Sequence, residues 1–109
     1  MFTDFQCRVY YVVSRIPRGR VITYAMLAEA VGCKSARAVG QTLKRNPFAP
    51  LVPCHRVIAS DLTPGGYRGK QTTSMIHRKV ALLASEGVYF KNGKLTDKRK
   101  LYRFIRRYL

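Results

Sequence analysis

The sequence predicts a mainly α fold carrying a small β-hairpin, organised around a helix-turn-helix. Apolar residues recur at helical spacing in five segments. Two of those segments are joined only by a short turn around Gly32–Lys34, the connection with which a helix-turn-helix presents its second helix to nucleic acid. The stretch VYFKNGKLT sets Asn92-Gly93 between strand-like residues, a strong local signal for a two-residue hairpin turn.

In the first segment Phe5, Val9, Val12, Val13 and Ile16 form one face, and Pro17-Arg18-Gly19 closes the helix. Thr23 caps a second helix with Tyr24, Leu27, Ala28 and Val31 on its buried face and Gly32 as its stop. Ser35 caps a third, where Ala36, Val39 and Leu43 point inward and Pro47 ends the run. The opposite face of that helix carries Arg37, Gln41, Lys44 and Arg45, an acid-free stripe that would lie along phosphates. A solvated helix side looks the same, but the helix-turn-helix setting and the overall charge favour binding. SDLTPGGYRGKQTT, rich in Gly, Thr and Pro, reads as a loop long enough to serve a function. A fourth helix is expected from about Ser74 to Ser85 with Ile76, Val80 and Leu83 inward. A basic C-terminal helix at about 97–108 follows, with Leu101, Phe104, Ile105 and Tyr108 inward and Lys98, Arg99, Arg103 and Arg107 outward.

The 109 residues, 47% of them hydrophobic, suit a single globular domain rather than a disordered chain. No apolar run matches a membrane span, and MFTDFQCRVYYVV carries an acid where a signal peptide carries positive charge. The expectation is a cytoplasmic monomer with no membrane partner, brought to the nucleoid or nucleus by what it binds. Cys7, Cys33 and Cys54 form no CxxC pair and are odd in number, which argues against a disulfide framework or a four-ligand zinc site. No metal and no cofactor is expected. Against 21 Lys and Arg stand 5 Asp and Glu, a formal charge of +16. On so small a domain that excess favours a polyanion, nucleic acid before others, without choosing DNA over RNA.

Residues 51–58, LVPCHRVI, set a thiol, an imidazole and a guanidinium inside an apolar run. Buried polar groups need partners or a task. Cys54 follows a proline that fixes the backbone, and a thiolate is the strongest nucleophile among ordinary side chains. His55 is the adjacent base; neighbouring side chains diverge, so a bridging water is one route for the proton. Such a base wants an orienting acid, and of the five acids Glu86, at the end of the fourth helix, is best placed. Arg56 reads as a structural guanidinium bonded to backbone carbonyls. A Cys-His dipeptide alone is weak, and packing is the ordinary role of a cysteine, as for Cys7 and Cys33.

NPFAPLVPCHRVI, preceded by SARAVGQTLKR and followed by GGYRGK and LLASEG, resembles the C-terminal domain of the O6-alkylguanine-DNA alkyltransferases. PCHRV is that family's signature, and the flanking motifs fall in the same order over roughly Phe2 to Leu95. The resemblance implies a winged helix-turn-helix-like domain acting on double-stranded DNA that contains O6-alkylguanine. The base is flipped out, and its alkyl group moves irreversibly to Cys54 without turnover. His55 then matches the base acting through a water, Glu86 its orienting partner, and Asn46 an asparagine bracing the site's turn. Arg37 matches an arginine that fills the gap left by the flipped nucleotide. Tyr24 matches a tyrosine beside the flipped base, a proton donor to guanine N3. Tyr67 matches a wall of the guanine pocket, and the backbone at Cys54 and Val57 the reader of the guanine amino group. Arg68 stands where many members carry a small hydroxyl residue, and its guanidinium would donate to the leaving oxygen or face phosphate. Flipping is a physical necessity, because O6 is out of reach of a thiolate while the base is stacked. The apolar flanks of Cys54 are then the walls of a pocket for a flat base.

Two departures from the family pattern stand out besides Arg68. The N-terminal domain of many relatives has no counterpart here, and KQTTSMIHRKVA makes the stretch before LLASEG longer than usual. The main rival is a compact alkyltransferase-like protein that binds lesions without reacting. Such proteins typically carry tryptophan in place of the cysteine, so Cys54 speaks for the reactive form. A plain winged-helix architectural protein, with Cys54 only packed, is the second rival.

Overall fold

Thr3 starts the first helix by reciprocal capping. Its hydroxyl accepts the Gln6 N–H at 3.1 Å, and the Gln6 side chain accepts the Thr3 N–H at 2.8 Å, which satisfies donors that the helix cannot pair internally. The computed structural model describes residues 2–67 and 71–104. Within them α1 spans Asp4–Ser14, β1 Ile22–Thr23, α2 Tyr24–Ala30, α3 Ala36–Lys44, β2 Val57–Ile58, α4 Thr73–Ser85, β3 Phe90–Lys91 and β4 Lys94–Leu95. Short 3-10 turns occupy Cys54–Arg56 and Lys98–Lys100. The expected caps are in place: Thr23 accepts from Met26 N–H and Ser35 from Ala38 N–H, each at 3.1 Å. Mainly helical, with a helix-turn-helix and a hairpin wing, this is the expected fold class.

The core forms where α1, α2 and α3 meet. Val9, Val12, Val13 and Ile16 pack with Leu27, Ala28 and Val31 and with Val39 and Leu43, and the cluster continues to Cys54 and Val57. Tyr10 joins α1 to α3, its hydroxyl donating to the Thr42 carbonyl at 2.9 Å. A smaller cluster of Val21, Ile58, Leu83, Val88 and Leu95 carries the hairpin. Asn92 and Gly93 take φ of 54° and 77°, the left-handed values that a two-residue hairpin turn demands.

Three features depart from the expectations. β1 and β2 pair in parallel, Ile22 with Val57 and Thr23 with Ile58. Strands of two residues have no alternation to read, and their partner lies far along the chain. In α4 the fully buried positions are Lys79 and Leu83, whereas Ile76 and Val80 are only half-buried. The helix is turned so that a lysine faces inward, because carbonyls await its ammonium there. Third, the basic tail is not a helix over its described part. Asp97 caps the 3-10 turn, Leu101 bridges in parallel to Val21, and the Tyr102 N–H donates to the Val21 carbonyl at 2.8 Å. Pairing with the edge beside β1 takes the backbone groups that a helix would have used, and residues 105–108 of the expected helix lie outside the described ones. Among the described residues no helix is long and apolar enough to cross a membrane.

Candidate active site

Just beyond α3 the buried Asn46 organises the approach to Cys54. Its Oδ1 accepts the Phe48 N–H and its Nδ2 donates to the Val52 carbonyl, both at 2.9 Å. The Cys54 N–H then donates to that same Val52 carbonyl at 2.9 Å. One amide therefore braces the whole turn that delivers the thiol. Cys54 is 8% exposed and His55 4%, so both sit almost wholly inside the protein.

Behind them lies a carboxylate with three close donors. Glu86, the C-terminal cap of α4, accepts from Arg56 Nε at 2.9 Å and Nη2 at 3.0 Å, and its Oε2 lies 3.0 Å from His55 Nε2. Arg56 also donates to the Ile16 carbonyl at 2.9 Å. The expectation of carbonyl partners for Arg56 thus holds for one bond, while its two-point pairing with Glu86 went unforeseen. Gly19 lets the α1–β1 turn close over this cluster. It sits at φ +87°, and a Cβ there would come within 3.1 Å of the Glu86 carbonyl oxygen.

Burial disfavours the Glu86 carboxylate, but hydrogen bonds and charge from Arg56 and His55 overcome it and hold the carboxyl at about 2. Glu86 is therefore an acceptor only, and His55 Nε2 must carry a proton to bond it. Burial, only partly offset by Glu86, pulls the His55 pKa below its usual 6.5, so at neutral pH the ring is uncharged and Nδ1 is its acceptor. Such an imidazole can take a proton on the side away from Glu86.

In front of Cys54 opens a cavity of about 760 Å³, within the usual range for small-ligand sites. Tyr24 and Tyr67 line it, as do Gly65, Gly66 and Ala59 of the loop after β2. Arg37, Gln41 and Lys44 of α3 form the facing side, exposed at its mouth. Burial and the nearby Cys54 raise the Tyr24 pKa, which keeps it a phenol. The fold thus brings Tyr24, Arg37, Gln41, Lys44, Cys54 and Tyr67 together around one space. Asn46, His55 and Glu86 stand behind it. Arg45, exposed as the cap of α3, and Val57 do not line it, and Arg68 lies outside the described residues.

One residue of this site escaped sequence reasoning. Lys79 is fully buried, and its ammonium donates to the carbonyls of Val57 at 2.7 Å and Gly66 at 2.9 Å. Burial lowers its pKa to about 8, against the opposing pull of Cys54. A lysine at the i−4 position from the inward Leu83 is the signal that could have found it. Among the described residues no group of three or more His, Cys, Asp or Glu side chains gathers closely enough to hold a metal ion.

Residues 4–88 match the family model described as 6-O-methylguanine DNA methyltransferase, DNA binding domain. The chain is 46% identical over 86 residues to a methylated-DNA–protein-cysteine methyltransferase of Methanothermobacter thermautotrophicus, covering 79% of this chain and 46% of that protein. A constitutive methylated-DNA–protein-cysteine methyltransferase of Bacillus subtilis is 43% identical, over 82% of this chain and 52% of the relative. The chain thus spans about half the length of these curated relatives. Among solved structures, Mycobacterium tuberculosis OGT in complex with DNA superposes with a TM-score of 0.70 at 42% identity, covering 79% of this chain and 51% of that one. Atl1 of S. pombe, in complex with damaged DNA containing O6-carboxymethylguanine, gives 0.76 at 32% identity, covering 95% of this chain and 100% of that one.

Proposed function

The chain belongs to the 6-O-methylguanine DNA methyltransferase family through its DNA-binding domain, and from that premise we propose that it repairs DNA by direct alkyl transfer. It flips O6-alkylguanine out of the duplex and moves the alkyl group irreversibly to Cys54, as a single-turnover methylated-DNA–[protein]-cysteine S-methyltransferase. In this reading residues 1–109 act as one catalytic and DNA-binding unit, equivalent to the C-terminal catalytic domain of larger relatives. It works as a monomer wherever DNA is, in the cytoplasm and nucleoid or in the nucleus. The observation that carries the proposal is the position of Cys54: on the wall of a base-sized cavity, with cations at its mouth and an ordered carboxylate–imidazole pair behind it.

The steps follow from that arrangement. Arg37, Gln41, Lys44 and Arg45 hold the phosphates without reading sequence, and Arg37 occupies the gap in the stack once the base has left it. The extruded guanine lies between Tyr24 and Tyr67, with the backbone at Cys54 and Val57 reading its amino group. His55 Nδ1 takes the thiol proton through a water, and Glu86 keeps the ring in the required tautomer. The sulfur attacks the alkyl carbon, the S–C bond forms as the C–O6 bond breaks, and the electron pair goes to guanine O6. Tyr24 supplies the proton that neutralises the base at N3. Asn46 keeps the thiol at its station. The S–C bond is stable, so nothing regenerates the thiol.

Mass spectrometry after incubation with duplex DNA containing O6-methylguanine tests this directly. The expected outcome is one methyl group gained on Cys54 and none in Cys54→Ala. A second reading, lesion recognition without transfer, is favoured by the likeness to Atl1 along that protein's whole length. Tight, selective binding of the lesion with no gain in mass establishes that reading instead.

A further inference from the structure

Lys79 has no place in the steps above, yet its burial demands an account. It heads the fully buried side chains, at 0% exposure, and it takes part in none of the ion pairs among the described residues. Burying an ammonium without a carboxylate is expensive. Two carbonyls at 2.7 and 2.9 Å and the face of Tyr24, 5.9 Å away, compensate part of that cost. None of these partners carries a full negative charge.

The groups that face this corner leave a single candidate for the missing charge. Glu86, at the end of α4, is bound to Arg56, and His55 from the 3-10 turn is uncharged at neutral pH. Tyr24 from α2 and Tyr10 from α1 are phenols whose ionisation Cys54 disfavours. The remaining acidic group is the Cys54 thiol, whose negative charge acts on Lys79 and favours its charged form. Lys79 is also tied to the peptide that follows the site, since Val57 lies in β2 directly after the Cys54–Arg56 turn. Its second carbonyl, Gly66, lines the cavity. We infer that Lys79 is a positioning residue for the reaction: its ammonium is the counter-charge that stabilises the Cys54 thiolate, and its two hydrogen bonds hold the strand after Cys54 to the loop forming the cavity's opposite wall.

This inference rests on the proposed chemistry at Cys54, but its test needs no alkylguanine. The rate at which iodoacetamide modifies Cys54, followed by peptide mass spectrometry to separate it from Cys7 and Cys33, reports the thiolate. With Lys79→Met the rate at neutral pH should fall by on the order of tenfold and its rise with pH should move upward by about one unit. Melting should remain cooperative, and the affinity for undamaged DNA should stay within about twofold, since Lys79 is remote from solvent. An unchanged pH profile in a folded Lys79→Met overturns the inference. Should that variant fail to fold, the wild type suffices. Capping Cys54 with iodoacetamide removes the negative charge, so the titration of Lys79, followed by NMR of its side chain, should shift to lower pH. A titration indifferent to capping also overturns the inference. Neither result touches the methyl-transfer experiment, so the two proposals fail separately.

Discussion

Glu86→Gln keeps the shape of the side chain and removes its charge, and the structure says what that costs. The two carboxylate oxygens serve three N–H donors at 2.9–3.0 Å in a side chain only 6% exposed. An amide has one oxygen for them, and its NH₂ must face the Arg56 guanidinium. A carboxyl held at about 2 instead of 4.5 corresponds to roughly 3 kcal/mol of stability, close to the ~3–5 kcal/mol typical of a buried pair broken on one side. Because the folded value lies below the unfolded one, this contribution is complete above pH 4.5 and disappears as pH falls towards 2. Urea unfolding of wild type and variant across that range should show a gap of about 3 kcal/mol at neutral pH that closes on acidification. In thermal melts near neutrality the same gap is roughly 12–24 °C for a domain this size. Alkyl transfer should slow by about a hundredfold or more, since nothing then selects the His55 tautomer. A stability gap of the same size at neutral pH and below pH 3 would refute the electrostatic account, as would the absence of any gap.

Two further expectations concern other parts of the site. Arg37→Ala should slow repair of duplex DNA far more than reaction with free O6-benzylguanine, because only the duplex has a gap to fill; equal losses on both substrates rule out a part in flipping. Asn46→Ala deletes both hydrogen bonds that brace the turn before Cys54 and should cost about 1–3 kcal/mol in urea unfolding. It should also slow alkyl transfer while DNA affinity stays as it was, and a variant with unimpaired transfer would mean that the turn is braced elsewhere.

The features legible in the sequence are those decided by neighbours along the chain. Thr23 and Ser35 can cap a helix because each lies within three residues of the N–H it accepts, and Asn92-Gly93 turns a hairpin through its own backbone preferences. The α3 stripe follows from the helical repeat alone. The His55–Glu86 pair was found from a motif and a shortage of acids, although 31 positions separate the two. Periodicity failed at Lys79, since pattern reading sends lysine outward and its two carbonyl partners lie 22 and 13 positions away. It failed again in the tail, where apolar residues at helical spacing are drawn into an edge pairing with Val21, 80 positions back from Leu101.

The amino-acid sequence by itself determined the helical segments, their caps, the cationic recognition face and the identity of the nucleophile, all of them properties of short stretches or of composition. Only the tertiary structure decided which side chains share the low-dielectric space around that nucleophile. The parallel β1–β2 pair sets the Cys54 turn beside α2, Glu86 closes on Arg56 and His55, and Lys79 turns inward. Charge and hydrogen bonding act over a few ångströms of space regardless of separation along the chain, so the chemistry of this thiol is a product of folding.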